Sequence, residues 1–245
     1  MSSTVRLDAL VAARGLAPSR ARAHGMILAG LVSVGGRRVT QAGTRVSEDA
    51  EVTVAGPEHA YVSRGGVKLE GALGALGVDP AGRVCLDVGA STGGFTDCLL
   101  QRGAALVHAV DVGYGQLAWK LRTDARVRVY ERTNMRKLDP RGFDPPPSLA
   151  VIDASFISLE LLLPPVAAQL DPPSEIVALV KPQFEVGRGQ VGKGGVVRDP
   201  AARRGAVDRV VAAAVDMGLR LRAVVDSSLA GAKKGNVEVF VHLDR

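Results

Sequence analysis

No uninterrupted apolar run in the 245 residues approaches the ~18 needed to span a membrane. That absence argues against an α-helical membrane protein. The opening "MSSTVRLDAL" has Arg6 and Asp8 where a signal peptide needs an apolar stretch, so no leader and a cytoplasmic location are expected. Cysteine is scarce: Cys85 and Cys98 alone, read as reduced core thiols rather than a disulfide framework. No Cys/His cluster has metal-ligand spacing, so no metal is expected. Lysine is missing from the first 47 residues, which hold seven arginines against one acid, Asp8, a net of +6. The whole chain is also +6, so the remaining 198 residues are neutral. A small basic module on a neutral body suggests a polyanion-binding accessory domain.

What is present is 47% hydrophobic residues, ample for a packed core. In "VRLDALVAARGLAPSRARAHGMILAGLVSVGGRRVT", Leu7, Leu10 and Val11 follow helical spacing and Gly15 ends that helix. A second helix is predicted over 19–29, followed by a strand, a Gly-Gly hairpin and a strand. From residue 64 apolar strands alternate with helices: "RVCLDVGA", "ALVHAVDV", "VRVYERTN", "SLAVIDAS" and "EIVALVKPQ", then "LRAVVDSS" and "NVEVFVHL". This pattern predicts an α/β fold with a doubly wound Rossmann-like sheet, its ligand at the carboxyl ends of the strands. The expected division is 1–55, a linker at 56–63, and 64–245.

Residues 89–94, Gly-Ala-Ser-Thr-Gly-Gly, form a glycine turn between strand and helix. Ser91 stands where a dinucleotide fingerprint needs its second glycine, which argues against a nicotinamide-dependent oxidoreductase. No Gly-Lys-Ser/Thr follows, so it is not a P-loop. Such a turn suits the amino-acid end of S-adenosylmethionine. Asp111, 22 residues after Gly89, ends the second strand and suits ribose hydroxyls; Asn134 ends the third and suits an adenine edge. Asp87, Asp153 and Lys181 also fall at or near predicted strand ends, and Lys181 directly follows the apolar "EIVALV".

The first segment resembles the S4 RNA-binding domain, a small α+β module. That resemblance implies docking on structured RNA through Arg6, Arg20, Arg22, Arg37 and Arg38. "SRGGVKLEG", "LDVGASTGGFTDCLL", "VIDASFISL", "LVKPQFE" and "GNVEVFV" resemble the 2′-O-ribose RNA methyltransferases of the FtsJ type. Together the two parts resemble the TlyA, or hemolysin A, family of ribosomal RNA methyltransferases. The resemblance implies a Lys-Asp-Lys-Glu tetrad at Lys68, Asp153, Lys181 and Glu238. It also implies S-adenosyl-L-methionine held by Gly89, Ser91, Thr92, Gly93, Gly94, Phe95, Asp111, Asn134, Met135 and Asp153. The implied activity is 2′-O-methylation of ribosomal RNA, at a cytidine, in ribosomal subunits, by a monomer. Arg64, Arg188 and Lys193 are further expected RNA contacts, and the basic stretch "KLRTDARVRVYERTNMRK" is a candidate extension of that track. The competing readings are a pore-forming hemolysin, which would need membrane-inserting segments, and an RNA-binding protein without catalysis.

Overall fold

The computed structural model describes residues 4–28, 30–55, 59–229 and 236–245. The chain divides into two compact units, Met1–Ala60 and Tyr61–Arg245. Residues 56–58 of the expected linker, and Gly235 of the last motif, lie outside the described residues. Tyr61–Ser63 are structured parts of the second unit. The Tyr61 hydroxyl donates to Glu70 (2.9 Å), the Val62 amide donates to Asp97 Oδ2 (2.8 Å), and Ser63 caps a helix. A composition shift marks a linker only coarsely; these hydrogen bonds pull its last residues into the fold.

The first unit runs β1 (Thr4–Arg6), α1 (Leu7–Ala13), α2 (Arg20–Leu28), β2 (Val32–Val34), β3 (Arg37–Val39), β4 (Arg45–Ser47) and β5 (Val52–Val54). Leu7, Val11, Ala23, Ile27 and Val32 form its core. The Ser19 hydroxyl accepts from the Arg22 amide and so opens α2. The hairpin joins β2 to β3 at Gly35–Gly36. Strands β1, β4 and β5 escaped the sequence reading, because three residues are too few to display alternation.

The second unit runs α3 (Arg64–Leu76), β6 (Val84–Val88), α4 (Gly94–Gln101), β7 (Leu106–Val110), α5 (Trp119–Arg122), β8 (Val127–Tyr130) and β9 (Leu149–Ile152). It continues with α6 (Leu159–Ala167), β10 (Glu175–Val180), α7 (Pro182–Glu185), α8 (Pro200–Asp216), β11 (Arg220–Asp226) and β12 (Val239–Asp244). The described residues form a seven-stranded sheet in the order β11-β12-β10-β9-β6-β7-β8. β12 runs antiparallel to both its neighbours, β10 and β11; the pairs from β10 through β8 are parallel. Successive side chains of β6 point to opposite layers. Cys85 joins Leu69, Leu73, Leu99 and Phe240 on one face, and Leu86 joins Ile152, Leu163, Val210 and Val241 on the other. Both cysteines are free and buried. No helix among the described residues is long and apolar enough to cross a membrane.

This order places the switch point at β6. From there the chain winds one way through β7 and β8 and the other way through β9 and β10. Ligand crevices form at the carboxyl end of such a strand.

Candidate active site

The turn leaving β6 is fixed from two sides. A Cβ at Gly89 (φ +87°) would sit 2.6 Å from the Asp153 carbonyl oxygen, so only glycine lets this turn lie against the chain leaving β9. On the other side the Ser91 amide donates to Asp111 Oδ2 (2.8 Å), and the Gly113 amide donates to Oδ1 (2.6 Å). Asp111 therefore staples the turn to the loop after β7. Each of its oxygens keeps a second lone pair for a ligand. Gly93 serves packing rather than ligand approach, since a Cβ there would strike the Leu121 side chain at 2.2 Å.

Beneath the turn, Asp87 is fully buried. Its Oδ2 accepts from the Thr96 hydroxyl (2.6 Å), while Oδ1 is buried without a hydrogen-bond partner. Burial pushes its carboxyl up to about 7. A folded-state value raised above the unfolded one means that the folded protein holds the proton more tightly. This group's contribution to stability therefore falls as pH rises from about 4 to about 7, by at most about 1.4 kcal/mol per pH unit, and is level above that. Asp87→Asn should gain stability over wild type progressively through this window. Urea unfolding at pH 4, 5.5, 7 and 8 checks it, and a pH-independent difference between the two proteins would overturn the assignment.

A pair of glycines brings α3 to the site. A Cβ at Gly66 would lie 2.9 Å from the Gly94 carbonyl oxygen, and one at Gly94 would lie 2.9 Å from the Gly66 nitrogen. The backbones of α3 and α4 touch there, which carries Lys68 over the sheet. Lys68 Nζ donates to Glu238 Oε2 at 2.5 Å, across 170 positions of sequence. Lys181 Nζ lies 2.5 Å from Asp153 Oδ1 and donates to the Ser155 hydroxyl at 3.0 Å. The four tetrad residues thus form two ion pairs. Lys68, Lys181 and Glu238 are buried, and Asp153 is partly so.

Two cavities meet at Gly89, Ser91 and Asp153. One, about 170 Å³, is lined also by Arg64, Lys68, Thr92, Gly94 and Phe95. The other, about 490 Å³, is lined also by Asp111, Gln116, Asn134, Met135, Ser155 and Phe156. Together they have the size of a cofactor site. Lys68 and Asp153 line this space, and Glu238 and Lys181 are their ion-pair partners.

Gln116, Ser155, Phe156 and Asn236 were missed from the sequence. Gln116 accepts from the Ser91 hydroxyl (3.1 Å), and Phe156 is 91% exposed at φ +67°. Asn236 is buried; its oxygen accepts from the Val197 amide (3.1 Å) and its nitrogen donates to the Gly195 carbonyl (2.9 Å). This anchors one end of the glycine-rich loop that bears Lys193, which is exposed. Ser155 and Phe156 adjoin Asp153 in "VIDASF" and Asn236 adjoins the Glu238 motif, so proximity to those motifs was the available signal. The Arg188 side chain lies outside the described residues; Arg64 is exposed beside the smaller cavity. Three of the seven cations in the basic stretch at the β8 edge are ion-paired: Lys120 with Asp97, Arg122 with Glu131 and Arg126 with Asp124. In the first unit Arg6, Arg20, Arg22, Arg37 and Arg38 are all exposed.

Residues 61–245 match the family of FtsJ-like methyltransferases, and residues 5–52 match the S4 domain. The 16S/23S rRNA (cytidine-2′-O)-methyltransferase TlyA of Mycobacterium tuberculosis is 50% identical over 244 residues, covering 99% of this chain and 91% of that protein. Hemolysin A of Brachyspira hyodysenteriae is 41% identical over 97% of this chain and 99% of its own. A solved structure from Streptococcus thermophilus, provisionally named a hemolysin, is 43% identical with a TM-score of 0.76, over all of this chain and 90% of that one. The N-methyltransferase NodS of Bradyrhizobium japonicum shares the fold at 15% identity and a TM-score of 0.51, over 75% of this chain and 97% of that one. On these grounds the chain belongs to the FtsJ-like methyltransferase family and carries an S4 domain ahead of its methyltransferase unit.

Proposed function

We propose that this chain transfers a methyl group from S-adenosylmethionine to the 2′-oxygen of a cytidine ribose in ribosomal RNA, acting on ribosomal subunits in the cytoplasm. The observation that carries the reading is the pair of short lysine–carboxylate bridges beside the glycine turn. A nearly buried lysine at the end of an apolar strand is costly unless it is paired, and both lysines are.

The site suits the cofactor. The unpartnered Asp87 Oδ1 beneath the turn and the joined cavities above it supply a buried acceptor and room. Gly89–Gly94 would hold the amino-acid end, Asp111 the ribose hydroxyls, and Asn134 with Met135 the adenine. Bound there, the cofactor supplies an electrophilic methyl on a sulfonium sulfur. The protein's own work is to place the ribose hydroxyl in line with that methyl and to take its proton. Positioning of this kind supplies much of the rate. Lys181 takes the proton of the ribose hydroxyl; Asp153 holds its amine in place, and Lys68 with Glu238 orients the ribose. The exposed arginines of the S4 unit provide sequence-independent affinity for the phosphate backbone.

A substrate test separates ribose from base chemistry. With the target nucleotide replaced by its 2′-deoxy form, methyl transfer should vanish while binding changes little. Continued methylation of the deoxy substrate would place the methyl on a base and end the proposal.

A further inference from the structure

Another buried carboxylate, far along the chain from the tetrad, organises cations instead of a reaction. Asp8, on α1, is only 2% exposed. Its Oδ1 accepts from Arg6 Nε (3.1 Å) and its Oδ2 from Arg6 Nη2 (2.9 Å). Arg20 Nε lies 3.3 Å from Oδ2, and His24 Nδ1 lies 4.0 Å from it. The three partners come from β1 and α2, and their side chains are 46%, 58% and 52% exposed. The carboxyl is held down at about 2, first by the Arg6 hydrogen bonds. One acid thus draws several cations of the basic unit to a single point while leaving each half in solvent. A guanidinium has five N–H donors; Arg6 spends two on Asp8, and the rest remain for a ligand.

We infer that Asp8 is a positioning residue for RNA, fixing Arg6 and Arg20 as one preformed pair whose outward N–H edges grip backbone phosphate. The inference rests on the proposed RNA-binding function. Its physical basis is pre-organisation: a guanidinium already held in place loses less freedom when it binds. The consequence runs against simple charge counting. Removing an acid from a cationic face should strengthen binding to a polyanion if charge alone matters; here it weakens binding.

The test uses the full-length chain and purified ribosomal subunits, with affinity measured at several salt concentrations. Asp8→Asn should bind about five- to tenfold more weakly than wild type. Its plot of log affinity against log salt should flatten by roughly one unit, as for a lost phosphate contact. Arg20→Ala should show a similar loss. In the Arg20→Ala background, Asp8→Asn should then add less than about twofold, because both changes break the same unit. Unchanged or tighter binding by Asp8→Asn would overturn the inference. So would an equal loss in both backgrounds, which would mark a general effect on the stability of the S4 unit. If wild-type protein fails to bind subunits at all, the RNA-binding reading itself falls, and this inference with it.

Discussion

Lys181→Ala lowers the single-turnover methyl-transfer rate by about 10² to 10⁴, the usual contribution of a positioned base. Lys181→Arg does nearly the same damage, since a guanidinium stays charged and cannot accept the ribose proton. Affinity for S-adenosylmethionine changes little in either variant, because Lys181 is not among the residues lining the two cavities. Single-turnover rates of both variants, with cofactor binding measured separately, check all three statements. An arginine variant with near wild-type rate would reduce the role of Lys181 to a positive charge, and the base would then be Asp153, Glu238 or water.

The second large effect concerns the other bridge and separates stability from chemistry. Glu238 is 4% exposed and Lys68 is 9% exposed, and they join α3 to the sheet beside β12. Removing one partner of a buried pair leaves an uncompensated charge and costs about 3–5 kcal/mol. Glu238→Leu should therefore lower the melting temperature of the methyltransferase unit by roughly 10 °C. Adding Lys68→Met should recover most of that loss, since an apolar pair of similar volume replaces an ion pair at little or no cost. Methyl transfer should not return with stability. Calorimetry of the single and double variants, alongside transfer assays, tests both halves. A double variant that is stable and fully active would show that the bridge only holds the fold together, and would remove Lys68 and Glu238 from the chemistry.

Much of this molecule was legible residue by residue. Leu7, Leu10 and Val11 marked α1 through helical spacing, and Gly15, at φ +70°, marked its end. The apolar runs around Cys85, Val107, Leu149 and Ile176 became the central strands of the sheet. The glycine turn was readable because its residues are neighbours in the chain. So was Lys181: an amine directly after five apolar strand residues must emerge at a strand end. These features are local, and local periodicity, capping and turn chemistry are what a linear string of residues encodes directly.

Tertiary structure decided which of these residues meet. No periodicity says that residue 68 faces residue 238, or that β12 slots antiparallel between β10 and β11 and so brings Glu238 to α3. Asp111 looked like a ribose acceptor alone; the fold also makes it the staple of the glycine turn. The run of cations near the β8 edge read only as a density of charge; packing sets Asp97, Glu131 and Asp124 beside three of its seven members, Lys120, Arg122 and Arg126. Asp8, a lone acid in a basic segment, became the common partner of Arg6 and Arg20. The physical reason is the same in each case. Hydrophobic pattern determines which face of a strand or helix is buried, while the pairing of side chains depends on strand order, register and close backbone contacts such as Gly66 against Gly94, which form only when the layers pack.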